Sequence, residues 1–512
     1  MVMRRRKAPG GTELSLSPSS ASVARSPSPD DAEEGGGDRL TDLPDALRCR
    51  ILSLLPLKYA IRTGALSLRW NGLWRHRWPH PASLDLSPRT IAEDNFAAGV
   101  DRRLAARGRG LRMDAFVLSL PPFRRYDAEL ERWLEYAASC GVEDVRLVVL
   151  PPSEASSSQR RSRRVHRHVV STVLFHSVSE CSNLVRLTIS GLHLTGPGST
   201  PRRLPVLEVL TLHLSSVTDA GLRRIVAASP LLRTLDLQLC RKLRRITITA
   251  NSRLTSLTIV ECPRAMEIMI SAPGLRSFKY VGKYLTNYCF DGTNRLEDVY
   301  MSTSSPDSLL FQSNWVTALS EISNIRVLTL CNISLQYIVI SGENAGGGFL
   351  KLRNLRELHL QMGLMTDDNL MNIYGFFRLC KCDRLEKLVI KLPTAMRDPF
   401  VENFLSIPME EPPEVDFKSL RAIKLKSFKG HKNEMKLVRF LLGKASLLET
   451  LMLITCNENM VEEYTKHRVG DSPEFLDFLQ QQLSVFAKAS VDAQIILREH
   501  DDNNFNPTHR GV

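Results

Sequence analysis

The sequence lacks a long apolar run. No stretch approaches the roughly 18 uninterrupted apolar residues that cross a bilayer, because charged residues recur throughout the leucine-rich segments. The N-terminus, Met1 to Lys7, is basic but leads into Pro, Gly and Ser instead of an apolar core, which does not favour a secretory signal. We therefore expect no membrane span, and we expect the chain in the nucleus, the cytoplasm or both.

Metal-binding cysteine patterns are also missing. The ten cysteines are scattered and include no CxxC pair, so neither a zinc site nor a redox site is predicted. Cys380-Lys381-Cys382 is the nearest approach to a metal pair, and no second pair lies near it. Cys240, Cys262 and Cys331 lie inside apolar strand patterns and are expected to act as small buried hydrophobes.

Catalytic motifs are absent as well. The sequence has no HExxH, no G-x-S-x-G and no phosphate-binding loop, since Gly346 to Gly348 is not followed by Lys and Ser or Thr. The histidines fall singly. We expect no enzymatic activity, cofactor or metal in this chain.

The formal net charge is +13, which could suggest nucleic acid, since Lys and Arg release counterions from phosphates. The densest basic cluster, Gln159 to His168, follows the Pro- and Ser-rich stretch Pro151 to Ser158, which favours a solvated loop. A localisation signal is the functional alternative, and Arg4 to Lys7 is a second candidate. Neither run has interleaved aromatics to stack bases, so nucleic acid is not favoured.

Three short helices are predicted between Asp38 and His80, after a Ser-, Pro- and Gly-rich arm. The first helix carries one apolar stripe and ends at Pro56, and the second covers Leu57 to about Gly64. Ser67 caps the third, which Gly72 weakens by about 1 kcal/mol relative to alanine. A unit of roughly 40 residues is too small to be comfortably stable alone. Its leucines and tryptophans point to more than one side, which predicts a partner surface.

This segment resembles the F-box of plant F-box proteins. The words that carry the resemblance are Asp42-Leu43-Pro44-Asp45-Ala46-Leu47, Ile51-Leu52-Ser53-Leu54-Leu55-Pro56, Leu66-Ser67-Leu68-Arg69-Trp70 and Leu73-Trp74. The resemblance implies docking onto the Skp-type adaptor of an SCF ligase, and through it onto cullin and RING subunits. The matching positions are Leu43, Pro44, Leu47, Ile51, Leu54, Leu66, Trp70, Leu73 and Trp74. The alternative is that these side chains form an ordinary three-helix core.

A six-residue frame of the type L-x-x-L-x-L recurs over the rest of the chain. Its starts lie 21 to 35 residues apart, which fits leucine-rich-repeat periods. Because apolar side chains of each strand alternate inward and stacked coils bury them in a ladder, the pattern predicts a solenoid. The frames start at Leu184, Leu207, Leu232, Leu254, Leu275, Leu296, Ile325, Leu355, Leu385, Leu420 and Leu448.

Between the main frames, further apolar segments start at Leu243, Ala265 and Leu285. These secondary segments predict a second short strand in the coils between Leu232 and Leu296. Helices are expected at Asp219 to Ala228 and Asp367 to Leu379. Earlier, Ser83 to Leu86 and Ala115 to Leu120 predict strands, Tyr126 to Ser139 a helix, and Val145 to Leu150 a strand.

The C-terminal stretch is similar to the FBD domain of plant F-box proteins, on Phe417 to Gly430, Ala445 to Glu449 and Ala489 to Ile495, and implies a solenoid cap. A helix is predicted at Glu434 to Leu442 and a strand at Leu448 to Ile454. The predicted fold is α/β. Its predicted parts are a disordered arm (1–37), a three-helix F-box (38–80), a leucine-rich-repeat solenoid (81–410), an FBD-type cap (411–497) and a flexible tail (498–512).

The resemblance thus implies a non-catalytic substrate receptor of an SCF-type ubiquitin ligase that binds a target protein. The alternatives are a leucine-rich scaffold outside any ligase and a nucleic-acid-associated protein that uses the basic loop. Target contact is expected at outward residues of the strand frames, namely Asp236, Gln238, Thr258, Val260, His359, Gln361 and Lys391.

Overall fold

The computed structural model describes most of the chain from Asp42 to Glu499. The described residues are 42–65, 67–77, 82–88, 95–122, 124–151, 171–197, 202–249, 253–283, 285, 287–303, 315–322, 324–344, 350, 352–380, 382–394, 412–455 and 473–499. The predicted arm, the basic loop Gln159 to His168 and residues 500–512 lie outside them.

The strands are short and recur at the repeat period. They are β1 Ser83–Leu86, β2 Ala115–Leu120, β3 Asp144–Val149, β4 Thr172–Val173, β5 Arg186–Ser190, β6 His193–Leu194, β7 Val209–His213, β8 Thr234–Gln238, β9 Arg245–Thr249, β10 Ser256–Val260, β11 Glu267–Ser271, β12 Ser277–Gly282, β13 Asn287–Asp291, β14 Asp298–Thr303, β15 Val327–Cys331, β16 Glu357–Gln361, β17 Lys387–Lys391, β18 Ala422–Phe428, β19 Thr450–Thr455 and β20 Gln494–Arg498.

The α-helices lie before the first strand and between some of the strands. They are α1 Asp45–Ser53, α2 Leu57–Arg62, α3 Phe96–Arg107, α4 Asp127–Ser139, α5 Phe175–Ser179, α6 Asp219–Ala228, α7 Trp315–Glu321, α8 Asn332–Asn344, α9 Asp367–Leu379, α10 Lys432–Lys444 and α11 Pro473–Ser484. Two 3₁₀ turns, Thr63–Ala65 and Leu73–His76, follow α2.

Among the described residues, fifteen strands form one parallel sheet in the order β1-β2-β3-β5-β7-β8-β10-β12-β14-β15-β16-β17-β18-β19-β20. Each predicted frame supplies one of these strands, which begins two residues after the frame starts. The inward leucines are in register: Leu187 pairs with Leu210, and Leu210 with Leu235. All three are buried. The predicted α/β solenoid is therefore confirmed.

The secondary segments also form strands. Those at Leu243, Ala265 and Leu285 become β9, β11 and β13, which pair in a second parallel sheet. The helix α6 packs beside β9. The two-faced coils predicted between Leu232 and Leu296 are thus confirmed.

Five of the described helices are missing from the sequence prediction, namely α3, α5, α7, α8 and α11. Of these, α3 and α8 lie between consecutive strands of the large sheet. The α8 segment is rich in isoleucine and valine, which favour strands, but tertiary packing overrides that preference. Helices α8 and α9 approach closely through two glycines. A Cβ on Gly375 would lie 2.7 Å from Val339 Cγ1, and one on Gly342 would lie 2.6 Å from Leu379 Cδ1.

The C-terminal segment extends the large sheet with β18, β19 and β20. Aromatic rings join it to the preceding coil: Tyr374 and Phe440 lie 4.9 Å apart between ring centroids, as do Phe377 and Phe417. Edge-to-face pairs of this kind add about 0.5–1.5 kcal/mol each beyond burial. The predicted helix Glu434 to Leu442 is present with longer bounds, as α10. The predicted boundary at residue 411 lies outside the described residues.

The third F-box helix is not an α-helix. After α2, the described residues turn and then form the 3₁₀ segment Leu73–His76. Gly72 precedes that segment with φ 76°, a left-handed conformation that glycine adopts without the steric cost of a side chain. The glycine that weakens the helix in the sequence therefore breaks it in the structure.

Candidate functional site

The two faces of helix α1 differ in burial. Arg48 and Leu52 point inward, and Leu52 forms a small core with Ala60 and Trp70. On the opposite face Leu47 is 49% exposed and Leu54 is 78% exposed. The spacing of three or four residues between positions 44, 47, 51 and 54 places them along one side of the helix. This side, defined by Pro44, Leu47 and Leu54, is called the apolar stripe below.

The predicted adaptor-binding residues separate into three groups. Pro44, Leu47 and Leu54 are exposed, whereas Leu43, Ile51, Leu73 and Trp74 are half-buried. Ile51, Leu73 and Trp74 pack against the small core. Trp70 is only 2% exposed, so its assignment to the docking surface is corrected: it fills the core. Leu66 lies outside the described residues.

Three further apolar side chains are exposed in this segment. Leu68 is 91% exposed, and Tyr59 and Ile61 on α2 are also exposed. Periodicity does not identify Tyr59 and Ile61, because α2 has only six residues, too few to define a face. Leu68 lies in a turn, where no periodicity applies.

Arg48 fixes the segment after α2 onto α1. Its guanidinium donates to the backbone carbonyl of Arg69 at 2.5 Å and pairs with Asp45. The guanidinium carbon also lies 5.9 Å from the ring centroid of Trp70, within cation–π range. The non-helical segment around Trp70 is therefore held by specific polar contacts as well as by burial.

The other side of the F-box is anchored on the solenoid, at the sheet edge where strands begin. The backbone N–H of Leu57 donates to both carboxylate oxygens of Glu143, at 2.9 and 3.1 Å. Burial raises the pKa of the Glu143 carboxyl, and the hydrogen bond from Leu57 opposes that shift. Lys58 pairs with Glu208 at 3.1 Å. Glu143 and Glu208 come just before β3 and β7.

A buried ion pair completes this anchor. Arg77 pairs with Asp114 just before β2, and the two side chains are 0% and 7% exposed. Removing one partner of a buried pair leaves an uncompensated charge, which is strongly destabilising. These contacts fix the F-box relative to the repeats and leave the apolar stripe exposed.

Among the predicted target-binding residues, the first four lie together on the outward face of β8 and β10. Asp236 pairs in register with Thr258, and Gln238 with Val260, and all four are half-buried. The Gln238 amide donates to the Asp236 carboxylate at 2.9 and 3.1 Å. Burial raises the pKa of Asp236, and this hydrogen bond opposes the shift. The four form a mixed polar surface.

The remaining three lie further along the sheet and differ in exposure. Lys391 is exposed, and Gln361 is half-buried and accepts a hydrogen bond from the Tyr300 hydroxyl at 3.0 Å. His359 is only 5% exposed, and its Nε2 lies 2.5 Å from the carboxylate of Glu357. The prediction of His359 as a target contact is corrected, because its imidazole is already committed to a buried partner.

Metal ligands are not assembled anywhere in the part of the chain that the structure describes: no group of three His, Cys, Asp or Glu residues could hold an ion. The Sγ atoms of Cys380 and Cys382 lie 3.0 Å apart, and both residues are buried. Within the same residues, every helix is too short or too polar to span a bilayer.

Comparison with known proteins agrees with this architecture. The family model described as At1g61320/AtMIF1, LRR domain, matches residues 107–490. The chain belongs to this family. F-box/LRR-repeat protein 13 of Arabidopsis thaliana is 26% identical to it over 448 residues, which cover 83% of this chain and 91% of that protein.

Two further Arabidopsis thaliana relatives are named for the F-box and FBD, and one of them also for the leucine-rich repeat. A protein named as an FBD-associated F-box protein is 25% identical, over 81% of this chain and 90% of its own. A protein named as an F-box/FBD/LRR-repeat protein is 23% identical, over 84% of this chain and 90% of its own. The identification of the chain from its motifs as a plant F-box/FBD/LRR-repeat protein is confirmed.

Proposed function

We propose that this chain is a substrate receptor of an SCF-type (cullin-RING) ubiquitin ligase. Its F-box docks a Skp-type adaptor, and its repeats and C-terminal cap bind a target protein. The chain contributes no catalytic step: it presents the target while other subunits transfer ubiquitin. The names of its relatives support the F-box part of this proposal.

The observation that carries the proposal is the exposed apolar stripe on α1. Leu54 leaves more than three quarters of its surface in water, whereas Leu52, two residues away, is fully buried. Burial of these leucines against a partner would contribute about 1.5–3 kcal/mol for each fully covered side chain. The stripe therefore fits a protein partner.

The target part of the proposal rests on the outward face of β8 and β10. Asp236, Gln238, Thr258 and Val260 form a mixed surface of a carboxylate, an amide, a hydroxyl and an apolar side chain. Polar groups at fixed positions on a rigid sheet suit specific recognition of a protein surface.

The decisive experiment is co-purification of the full chain with a recombinant Skp-type adaptor. The test variant is Leu47→Ser with Leu54→Ser, which changes exposed positions and so spares the core. The matched control is Leu447→Ser with Val485→Ser, two exposed apolar residues in the C-terminal segment. We expect the wild type and the control to bind and the test variant to bind at least about tenfold more weakly.

Equal binding by test and control variants would remove the apolar stripe from the docking surface. No binding by the wild type would overturn the receptor function and leave a leucine-rich scaffold outside any ligase. Retention on nucleic acid that falls steeply with salt would instead favour the basic loop as the functional element.

A further inference from the structure

The residue after the first leucine of each frame forms a column along the sheet edge where strands begin. Backbone hydrogen bonds connect its members from coil to coil: Arg356 N–H donates to Arg326 O, and Glu386 N–H to Arg356 O. Adjacent members are therefore one strand spacing apart, about 4.8 Å. Opposite charges are matched elsewhere in the column, as in Arg421–Glu449 at 2.5 Å.

At one place in this column, adjacent members carry the same charge. Arg326 and Arg356 are consecutive members, and Arg295 and Arg384 lie beside them just before the first leucines of their own frames. Arg356 pairs with Glu386 at 2.9 Å. Arg295 and Arg326 are exposed and form no ion pair with any described residue. Like charges at this spacing repel each other, so the edge carries an uncompensated positive charge.

A ladder of amide side chains runs along this edge and holds one of the arginines, Arg384. Asn324 Nδ2 donates to Asn294 O at 2.5 Å, and Asn354 Nδ2 donates to Asn324 Oδ1 at 3.3 Å. Arg384 donates to Asn354 Oδ1 at 3.1 Å. The Arg384 end of the site is therefore held before any ligand arrives, which lowers the entropic cost of binding there.

These groups line an open cleft of about 350 Å³. Its lining contains four arginines and one carboxylate, namely Arg295, Arg326, Arg356, Arg384 and Glu297. We propose that this cleft binds an anionic peptide segment of a partner protein, whose carboxylate or phosphate oxygens are held by Arg295 and Arg326. The planar guanidinium fork matches both kinds of oxyanion in two-point contacts.

The lining favours a peptide over nucleic acid, because it contains no aromatic side chain on which a base could stack. The four arginines come from four adjacent coils, which span about 14 Å along the edge, the length of about four extended residues. The site lies on the same sheet edge as the F-box anchor, but it does not depend on adaptor docking.

The test uses fluorescein-labelled peptides of alternating glycine and serine, with the serines unmodified, replaced by glutamate or phosphorylated. Binding to the full chain is followed by fluorescence anisotropy. The test variant is Arg295→Gln with Arg326→Gln, and Arg384→Gln tests the other end of the cleft. The control is Arg241→Gln with Arg264→Gln, which removes the same charge. Both arginines are exposed and lie in turns before β9 and β11.

We expect the glutamate or phosphoserine peptide to bind the wild type and the control, and to bind the test variant at least about tenfold more weakly. Which of the two binds more tightly identifies the oxyanion. Equal loss in test and control variants, or equal binding of all three peptides, would overturn the proposal. Tighter binding of a single-stranded oligonucleotide than of either anionic peptide would overturn it in favour of nucleic acid. Adaptor co-purification of the same variant provides a separate readout.

Discussion

The backbone N–H of Leu57 donates to the carboxylate of Glu143 across 86 residues of sequence, at 2.9 Å to the nearer oxygen. This contact ties the first residue of α2 to the edge of the sheet before β3. Replacement of Glu143 by alanine removes the acceptor, and we expect the free energy of unfolding to fall by about 1–2 kcal/mol. Amide hydrogen exchange at Leu57 should accelerate at the same time. Glutamine keeps an acceptor oxygen, so Glu143→Gln should preserve the protection of that amide.

Glu143 also gives a pH dependence of stability. Because burial raises its pKa, the folded chain takes up a proton at this carboxyl more readily than the unfolded chain. The contribution of Glu143 to stability is therefore greatest below its unfolded pKa and declines as pH rises through its folded pKa. Denaturant titrations across the acidic range should show this decline in the wild type and less of it in Glu143→Gln. Identical pH profiles would contradict the assignment.

The buried pair Arg77–Asp114 predicts a larger effect. Asp114→Asn keeps the shape of the side chain but leaves the Arg77 guanidinium without its charge partner, and we expect a loss of about 3–5 kcal/mol. The exposed pair Arg125–Asp127 serves as the comparison. Arg125→Ala should change stability by less than about 1 kcal/mol. Calorimetric unfolding of the two variants measures the difference; similar losses would show that burial does not strengthen the Arg77 contact.

Close packing of α8 on α9 predicts opposite outcomes for two glycines. Gly375→Ala would place a methyl group against Val339, a branched side chain with little freedom to move, and should destabilise the fold by about 1–3 kcal/mol. Gly443, in α10, has nothing within 4 Å of the added carbon. Gly443→Ala should be neutral or stabilising by up to about 1 kcal/mol. Thermal unfolding separates the two, and equal effects would refute the close helix contact.

Trp70 and Leu54 should separate folding from docking. Trp70→Ala removes a buried indole and should cost about 3–5 kcal/mol, with the F-box segment becoming sensitive to protease. Leu54→Ala changes an exposed side chain and should alter stability by no more than about 0.5 kcal/mol. If both variants lost stability equally, α1 would be buried on both faces and the apolar stripe would not be a free surface.

The repeat ladder was predictable because an inward leucine leaves a periodic signal. Each frame from Leu184 to Leu448 became a strand, and α6 and α9 have the bounds read from the sequence. Helix α8 was missed because its isoleucines and valines carry a strand preference that only packing against α9 overrides.

The proposed docking surface was only partly predictable. Periodicity groups Leu47, Ile51 and Leu54 on one side of α1, but it cannot show that Trp70 turns inward, because Gly72 breaks the helix that would have placed it. Likewise, strand alternation points His359 outward, yet His359 is buried and pairs with Glu357. Contacts between residues distant in sequence, such as those of Arg77 with Asp114 and Leu57 with Glu143, leave no local pattern.

Because the F-box is anchored beside β3 and β7, it lies near one end of the large sheet. From β5, which lies between those two strands, to β20 the sheet advances by eleven strand positions, on the order of 50 Å along its surface. Most of the repeats thus extend away from the F-box anchor in one direction. Inserting or deleting a coil between the anchor and a bound target would change the distance from the F-box to that target by about 5 Å. The contacts that anchor the F-box would stay the same.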